Sequence, residues 1–173
     1  MRSTLLPGLA LALFLSACAS SSHLEVVHGD DAHRSGLFTA VQALEGRWQG
    51  KGGSGIDITC EFHTTSNGSV VREVMFPGSE HEMTNMYALD GGALAMTHFC
   101  ASGNQPRMQA SELRDGKLAF AFDSVDDLNA SDEPYMGSMT LVFVDQDHIR
   151  EEWTAYKSGK VDHTMAFELT RVR

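Results

Sequence analysis

The feature of this sequence that most restricts its fold is a side-chain alternation with a period of two. Apolar Ile58, Cys60 and Phe62, for example, alternate with polar neighbours. Successive side chains of a strand point to opposite faces, so this alternation predicts strands buried on one face. The alternation predicts ten strands, over residues 46–52, 55–63, 69–76, 82–89, 92–100, 107–113, 116–122, 138–144, 147–156 and 161–171. Asp90-Gly91 and Asp115-Gly116 are turn sequences typical of hairpins.

Ten short strands joined by hairpins predict an all-β, antiparallel, up-and-down barrel, because closing the sheet removes its unpaired edges. A two-sheet sandwich is the alternative. A short helix precedes the first strand, since Leu37, Phe38, Val41 and Leu44 form one apolar stripe with Ser35 as its expected N-cap.

An export signal precedes this region. Residues 5–15 are almost wholly apolar but too few to span a bilayer as a helix, which is typical of a signal-peptide core. They run into Leu-Ser-Ala-Cys at residues 15–18, which resembles the lipobox of bacterial lipoproteins. The resemblance implies that residues 1–17 are removed and that Cys18 is acylated. Ala19 then implies a protein anchored at the outer membrane of the bacterial cell envelope, facing the periplasm. An ordinary secretory signal cleaved after residue 17 is the alternative.

Residues 18–34 are rich in serine, acidic residues and scattered histidines, with no apolar period. This composition predicts a flexible tether between the lipid anchor and a barrel domain of residues 35–173. For His23, His28 and His33 we favour a solvated linker over a metal site.

Charge and cysteine content narrow the function further. A formal net charge of −10 provides no basic surface for nucleic acid. Membrane contact is therefore expected only through the lipid anchor. Cys60 and Cys100 fall on non-neighbouring strands at different heights, which favours two buried thiols over a disulfide.

Two further patterns carry a family resemblance. Gly46-Arg47-Trp48 resembles the G-x-W signature of lipocalins and fatty-acid-binding proteins, in which the tryptophan plugs the closed end of the barrel. The runs THFCASGNQPRM and FVDQDHIREEWTAYKSGK resemble an uncharacterised family of bacterial exported lipocalin-like proteins, over residues 37–173. The resemblance implies a fold rather than an activity. Members of that family carry a histidine just before the strand at 138–144, whereas this chain has Tyr135-Met136-Gly137 there, which weakens any shared metal or haem chemistry.

The expected strand directions place the tight turns at one end of the barrel and the longer connections at the other. Several polar residues on apolar faces fall near that open end, and a barrel mouth is a common place for a ligand. The predicted ligand-binding residues are His98, Arg107, Trp153, His163, Glu151 and Arg72. Hydrogen-bonded core residues are the alternative reading of the same positions.

We expect Arg107 to hold an anionic or hydrogen-bonding group of a small, partly apolar ligand, and Arg72 to pair with Glu151 inside the barrel. We expect the acidic segment 123–137 to act as a lid rather than a metal site. A histidine near its ordinary pKa of about 6.5 would make affinity depend on pH.

No nucleophile elbow, phosphate loop or H-E-x-x-H motif is present in the sequence, which favours a binding protein over an enzyme. The prediction is a membrane-anchored, extracytoplasmic lipoprotein that binds a small apolar or amphipathic molecule in its barrel. Three alternatives stay open. They are a haem-binding barrel that uses His98 or His163, an isomerase or hydrolase that uses His98 and Glu151, and a structural envelope lipoprotein with a filled barrel.

Overall fold

The computed structural model describes residues 30–53 and 55–173. The predicted signal peptide, the lipidation site Cys18, and His23 and His28 of the predicted tether lie outside the described residues. Within the described part of the chain, no helix is long and apolar enough to cross a membrane.

One helix, α1 (Asp31–Gln42), precedes the strands. It begins earlier than the expected cap at Ser35, because the Asp30 carboxylate accepts a hydrogen bond from the His33 backbone N–H at 2.8 Å and caps the first turn. Its buried side chains include Leu37 and Val41, so the predicted apolar stripe faces the core.

The strands follow in the order that the alternation predicts, with one short addition. They are β1 (Gly46–Gly52), β2 (Asp57–Thr65), β3 (Val70–Met75), β4 (Met83–Asp90), β5 (Ala93–Phe99), β6 (Gln105–Ala110), β7 (Leu113–Arg114), β8 (Lys117–Asp126), β9 (Tyr135–Phe143), β10 (His148–Lys157) and β11 (Lys160–Arg171). The addition is β7, a two-residue strand that pairs with β8 alone.

The sheet closes on itself as an antiparallel barrel of ten strands, as predicted. β1 pairs with β2 on one side and with β11 on the other, while β6 pairs with β8 and leaves β7 outside the ring. At the β1–β11 seam a Cβ on Gly50 would lie 1.7 Å from the Glu168 carbonyl oxygen, so only glycine allows this approach. The sandwich alternative is excluded.

The end of the barrel beside α1 is closed by Trp48, which is fully buried. Its indole Nε1 donates a hydrogen bond to the Leu44 carbonyl oxygen at 2.8 Å, and the Arg171 guanidinium lies 4.3 Å from its ring centroid. Arg171 also donates to the carbonyl oxygens of Ala43 and Glu45, just after the helix. These bonds join the last strand, the first strand and the helix into one plug.

Candidate functional site

The opposite end of the barrel contains an open cavity of about 660 Å³. The side chains that line it are mostly apolar and come from β1, β3, β4, β5, β9, β10, β11 and the adjoining loops. They include Ile56, Met75, Phe76, Met83, His98, Met136, Trp153, Met165 and Phe167. Volume and lining both fall in the range typical of small-molecule sites.

His98 lines this cavity from β5 and is 1% exposed. Its Nδ1 lies 2.7 Å from Asn85 Oδ1, while the Asn85 amide nitrogen donates to Glu73. Asn85 therefore offers His98 an acceptor, which requires the imidazole proton on Nδ1. Burial lowers the pKa of His98 to about 4, so the ring is neutral at pH 7 and Nε2 is a bare acceptor. This buried Nε2 has no hydrogen-bond partner.

Trp153 lines the same cavity from β10. Its ring centroid lies 5.0 Å from that of His98, and its Nε1 donates to Glu151 Oε2 at 3.0 Å. Trp153 therefore connects the cavity wall to the polar group beneath it.

One layer deeper lies a buried polar cluster of Cys60, Glu73 and Glu151, all fully buried. Asn85 Nδ2 and the Tyr87 hydroxyl each donate to Glu73 Oε2 at 2.7 Å. The second oxygen of each carboxyl group, Glu73 Oε1 and Glu151 Oε1, is buried without a hydrogen-bond partner.

The protonation of this cluster follows from burial and mutual repulsion. Burial, followed by the neighbouring Glu73 charge, raises the pKa of Glu151 well above its ordinary value. Burial, followed by the charges of Glu151 and Glu73, raises the pKa of the Cys60 thiol well above its usual range. Both shifts favour the protonated forms of the Glu151 carboxyl group and the Cys60 thiol.

Arg107 does not line the cavity. It faces outward from β6, where its Nε donates to Asp123 at 3.1 Å and its Nη2 donates to Asp90. The inward residues of this strand are Pro106, Met108 and Ala110. The expected inward position is wrong because Arg107 belongs to the outer row of β6, with Gln105 and Gln109.

Arg72 is also exposed. The inward row of β3 is Val71, Glu73 and Met75, and Arg72 lies on the outer row with Val70 and Val74. The expected pairing of Arg72 with Glu151 is therefore wrong, since Glu73 is the β3 side chain that meets Glu151 inside. A shift of one residue moves every side chain of a strand to the other face.

His163 lies beyond the rim of the barrel. Its side chain is 51% exposed and its Nδ1 lies 2.8 Å from Asp162 Oδ2, whereas the β11 part of the cavity lining begins at Thr164. His163 occupies the same row of β11 as Met165, but the first residues of β11 lie beyond the end of the cavity. Among the predicted residues, His98 and Trp153 reach the cavity and Glu151 lies beneath it.

The expected lid over residues 123–137 is mostly not at the mouth. β8 continues to Asp126, and Met136 is the only member of the segment that lines the cavity. The turn after β5 holds the rest, because buried Asn104 donates to Glu133 Oε1 at 3.1 Å and to the Pro134 carbonyl oxygen at 3.0 Å. These two bonds attach the end of the segment to the turn after β5.

Cys60 and Cys100 are both free, as predicted, although Cys100 is only half-buried. At Gly137, directly before the inner part of β9, an added Cβ would lie 2.3 Å from the Tyr156 ring. A histidine at this position would therefore require the Tyr156 ring to move. Any haem in this cavity would have to use another ligand.

Sequence reasoning missed Glu73, Asn85 and Tyr87. Asn85 and Tyr87 do lie on the inward row of β4 with Met83, so the alternation of that strand contained a signal. In β3 the signal is ambiguous, because valines stand on both rows and each row contains one charged residue.

Comparisons with known proteins support the fold. No family model matches this chain, and no curated protein matches it. Among solved structures, it is similar to the crystal structure of a protein of unknown function from the DUF3598 family of Nostoc punctiforme PCC 73102. The TM-score is 0.54 at 14% identity, over 76% of this chain and 48% of the other. This chain thus spans about half the length of that neighbour, and at this identity the likeness concerns the fold alone.

Proposed function

We propose that this protein is an exported, lipid-anchored, lipocalin-like barrel that binds a small apolar molecule carrying one neutral hydrogen-bond donor. The observation that carries the proposal is the buried Nε2 of His98, a bare acceptor without a partner on a side chain that lines a mostly apolar cavity. A buried acceptor left unpaired costs about 1–3 kcal/mol, which a donor on the ligand would recover.

The charge of the site favours a neutral head group. Neither lysine nor arginine is found in the described lining of the cavity. Glu73 and Glu151 are acidic groups buried beneath the cavity, which disfavours an anion there. With Arg107 on the outer face, the earlier expectation of an anionic group loses its support. A hydroxyl or amide N–H suits the acceptor on His98.

Export and anchoring are proposed from the leader sequence. Residues 15–18 supply the pattern for acylation of Cys18 by chains such as palmitate, and the outer membrane is the proposed location. We expect a Cys18→Ser variant to leave the membrane fraction and to lack the acyl mass at its N-terminus. An unchanged membrane fraction would contradict the anchor without affecting the cavity.

Decanol and decanoate test the ligand class, because they share an alkyl chain and differ in the head group. We expect decanol to bind in calorimetry, and decanoate to bind at least about tenfold more weakly because its charge loses water without gaining a cation. His98→Phe should weaken decanol binding by about 1–2 kcal/mol, roughly 5- to 30-fold in Kd.

His163→Ala and Arg107→Ala are the matched controls, since the structure places both side chains outside the cavity. Both should bind decanol as the parent protein does. Equal affinity for decanol in the parent and in folded His98→Phe would refute the role of His98. Tighter binding of decanoate than of decanol would refute the neutral head group.

The affinity for decanol should also stay constant from alkaline pH down through neutrality and fall as the pH approaches 4. The reason is that protonation of His98, whose pKa is about 4, converts Nε2 from an acceptor into a donor. Two carboxyl groups connect to His98, Glu73 through Asn85 and Glu151 through the Trp153 ring. His81 is the other histidine in the described lining of the cavity. This range replaces the earlier expectation of a change near pH 6.5.

Haem is the second candidate ligand, because the protonation and orientation of His98 suit a haem ligand. A neutral histidine whose Nδ1–H is held by an amide oxygen, with Nε2 free, is oriented like a haem ligand. A Soret band after addition of haem, lost in His98→Phe and kept in His163→Ala, would favour this candidate over the alcohol-type ligand.

A further inference from the structure

The buried cluster of Cys60, Glu73 and Glu151 lies beneath the cavity, and packing alone does not require its polar groups there. Cys60 on β2, Glu73 on β3 and Glu151 on β10 each offer one ligand atom, and these atoms lie within 4.8 Å of one another. Two of the side chains are carboxylic acids with a free oxygen, in a barrel interior that could have been filled with apolar side chains at lower cost.

The surrounding donors orient both carboxyl groups. Asn85 and Tyr87 hold Glu73 by its Oε2, and Trp153 holds Glu151 by its Oε2. The two Oε1 atoms are consequently the free ones, and both are buried without a partner. Hydrogen bonds to one oxygen that leave the other free for a cation are a common arrangement around metal-bound carboxylates.

We propose that Cys60, Glu73 and Glu151 bind one divalent cation of the zinc type. A thiolate with two carboxylates matches the ligands that zinc accepts, and three protein ligands leave a fourth tetrahedral position open. Calcium requires six to eight oxygen ligands, and magnesium keeps an octahedral shell of oxygens, so neither suits this set.

Binding exchanges protons for the cation. The Cys60 thiol proton, together with every proton that the two carboxyl groups hold, leaves to solvent, while the sulfur and the two carboxylate oxygens each donate an electron pair to the metal. Three ligand charges then face a divalent cation, which offsets two of them.

Cobalt(II) is a suitable probe, because a thiolate bound to it produces a charge-transfer band in the near ultraviolet. The full chain is treated with a chelator, refolded with cobalt(II) and freed of excess metal, which avoids any dependence on access through the folded barrel. We expect one bound cobalt per chain, the thiolate band, and loss of both when zinc(II) is added in excess.

Cys60→Ala should abolish the band, whereas Cys100→Ala and Cys18→Ala should keep it, because neither sulfur belongs to the cluster. Cobalt on His23, His28 or His33 would give no thiolate band and so is recognised. Glu73→Gln and Glu151→Gln keep the size of the side chain but remove a ligand. Each should weaken cobalt binding by more than roughly 100-fold, the most that loss of a residue hydrogen-bonded to a metal ligand typically costs.

The absence of a thiolate band in the parent protein would overturn the proposal, as would a band that survives in Cys60→Ala. If Cys60→Ala fails to fold, the two glutamine variants decide the matter, and unchanged affinity in both refutes the site. Decanol binding by the metal-free protein is measured separately, so failure of the metal site and failure of the cavity are distinguishable.

Discussion

Replacing Glu73 by alanine is expected to lower the free energy of unfolding by about 2–4 kcal/mol. Glu73 is fully buried, and its Oε2 is the acceptor for both Asn85 Nδ2 and the Tyr87 hydroxyl. The alanine variant leaves the Tyr87 hydroxyl without this acceptor and leaves Asn85 Nδ2 with only the weak Met75 sulfur acceptor at 3.5 Å. Each buried donor that loses its partner costs about 1–3 kcal/mol. Relief of the repulsion with Glu151 offsets part of that cost. Urea unfolding of the parent and the variant measures the difference.

Arg72→Ala is the matched control, because it removes a charged side chain from the adjacent position of the same strand. Arg72 is exposed on the outer face, so its loss should change the free energy of unfolding by no more than about 0.5 kcal/mol. If Arg72→Ala proved the more destabilising of the two, β3 would present the opposite row of side chains to the interior, and the described cluster would be wrong.

Replacing Trp48 by alanine is expected to cost about 3–5 kcal/mol, the largest single effect that we predict. The change creates a void at the closed end and removes the hydrogen bond to the Leu44 carbonyl oxygen. It also removes the ring beneath Arg171 and the edge contact with Phe62, whose centroid lies 6.5 Å away. Guanidinium unfolding followed by circular dichroism measures the loss.

Val144→Ala provides the comparison for Trp48, since this apolar side chain follows β9 at the same end of the barrel and is 59% exposed. Its removal should change the free energy of unfolding by no more than about 0.5 kcal/mol. A Trp48→Ala loss below about 1 kcal/mol would mean that the helix and Arg171 close the barrel without the indole.

Three layers follow one another along the barrel axis. Trp48 and Arg171 close one end, the Glu73–Glu151 pair with Cys60 lies above them, and the apolar cavity opens above His98 and Trp153. Side-chain hydrogen bonds connect the cavity wall to the polar layer through Asn85 and Trp153.

The stretch from Met96 to Met108 illustrates both what sequence reasoning achieved and where it failed. The alternation placed Met96 and His98 on the buried face of one strand, and the structure agrees. The same stretch was expected to return Arg107 to the mouth, but the turn ends sooner and Asn104 is the buried polar residue. The phase of the strand after a turn depends on where pairing resumes, which the turn sequence alone did not define.

Sequence alone determined the class of fold. A period of two over ten segments, separated by hairpin turns, predicts an all-β antiparallel fold and favours a closed barrel, which exposes no long edge. The pairings of β1 with β11 and of β6 with β8 then exclude the sandwich. The sequence also placed Trp48 beside a short helix and His98, Trp153 and Glu151 on inward rows, because each of these strands has one clearly apolar face.

Only the tertiary structure decided which polar groups meet. Glu73, Asn85 and Tyr87 contact residues on other strands at separations of 10 to 14 positions in the chain, and Glu73 meets Glu151 from a strand 78 residues away. Local periodicity reports the face of each strand but not its height relative to distant strands, which is set by pairing register around the closed ring. For that reason the cavity, the free nitrogen of His98 and the cluster beneath it became visible only once the barrel was closed.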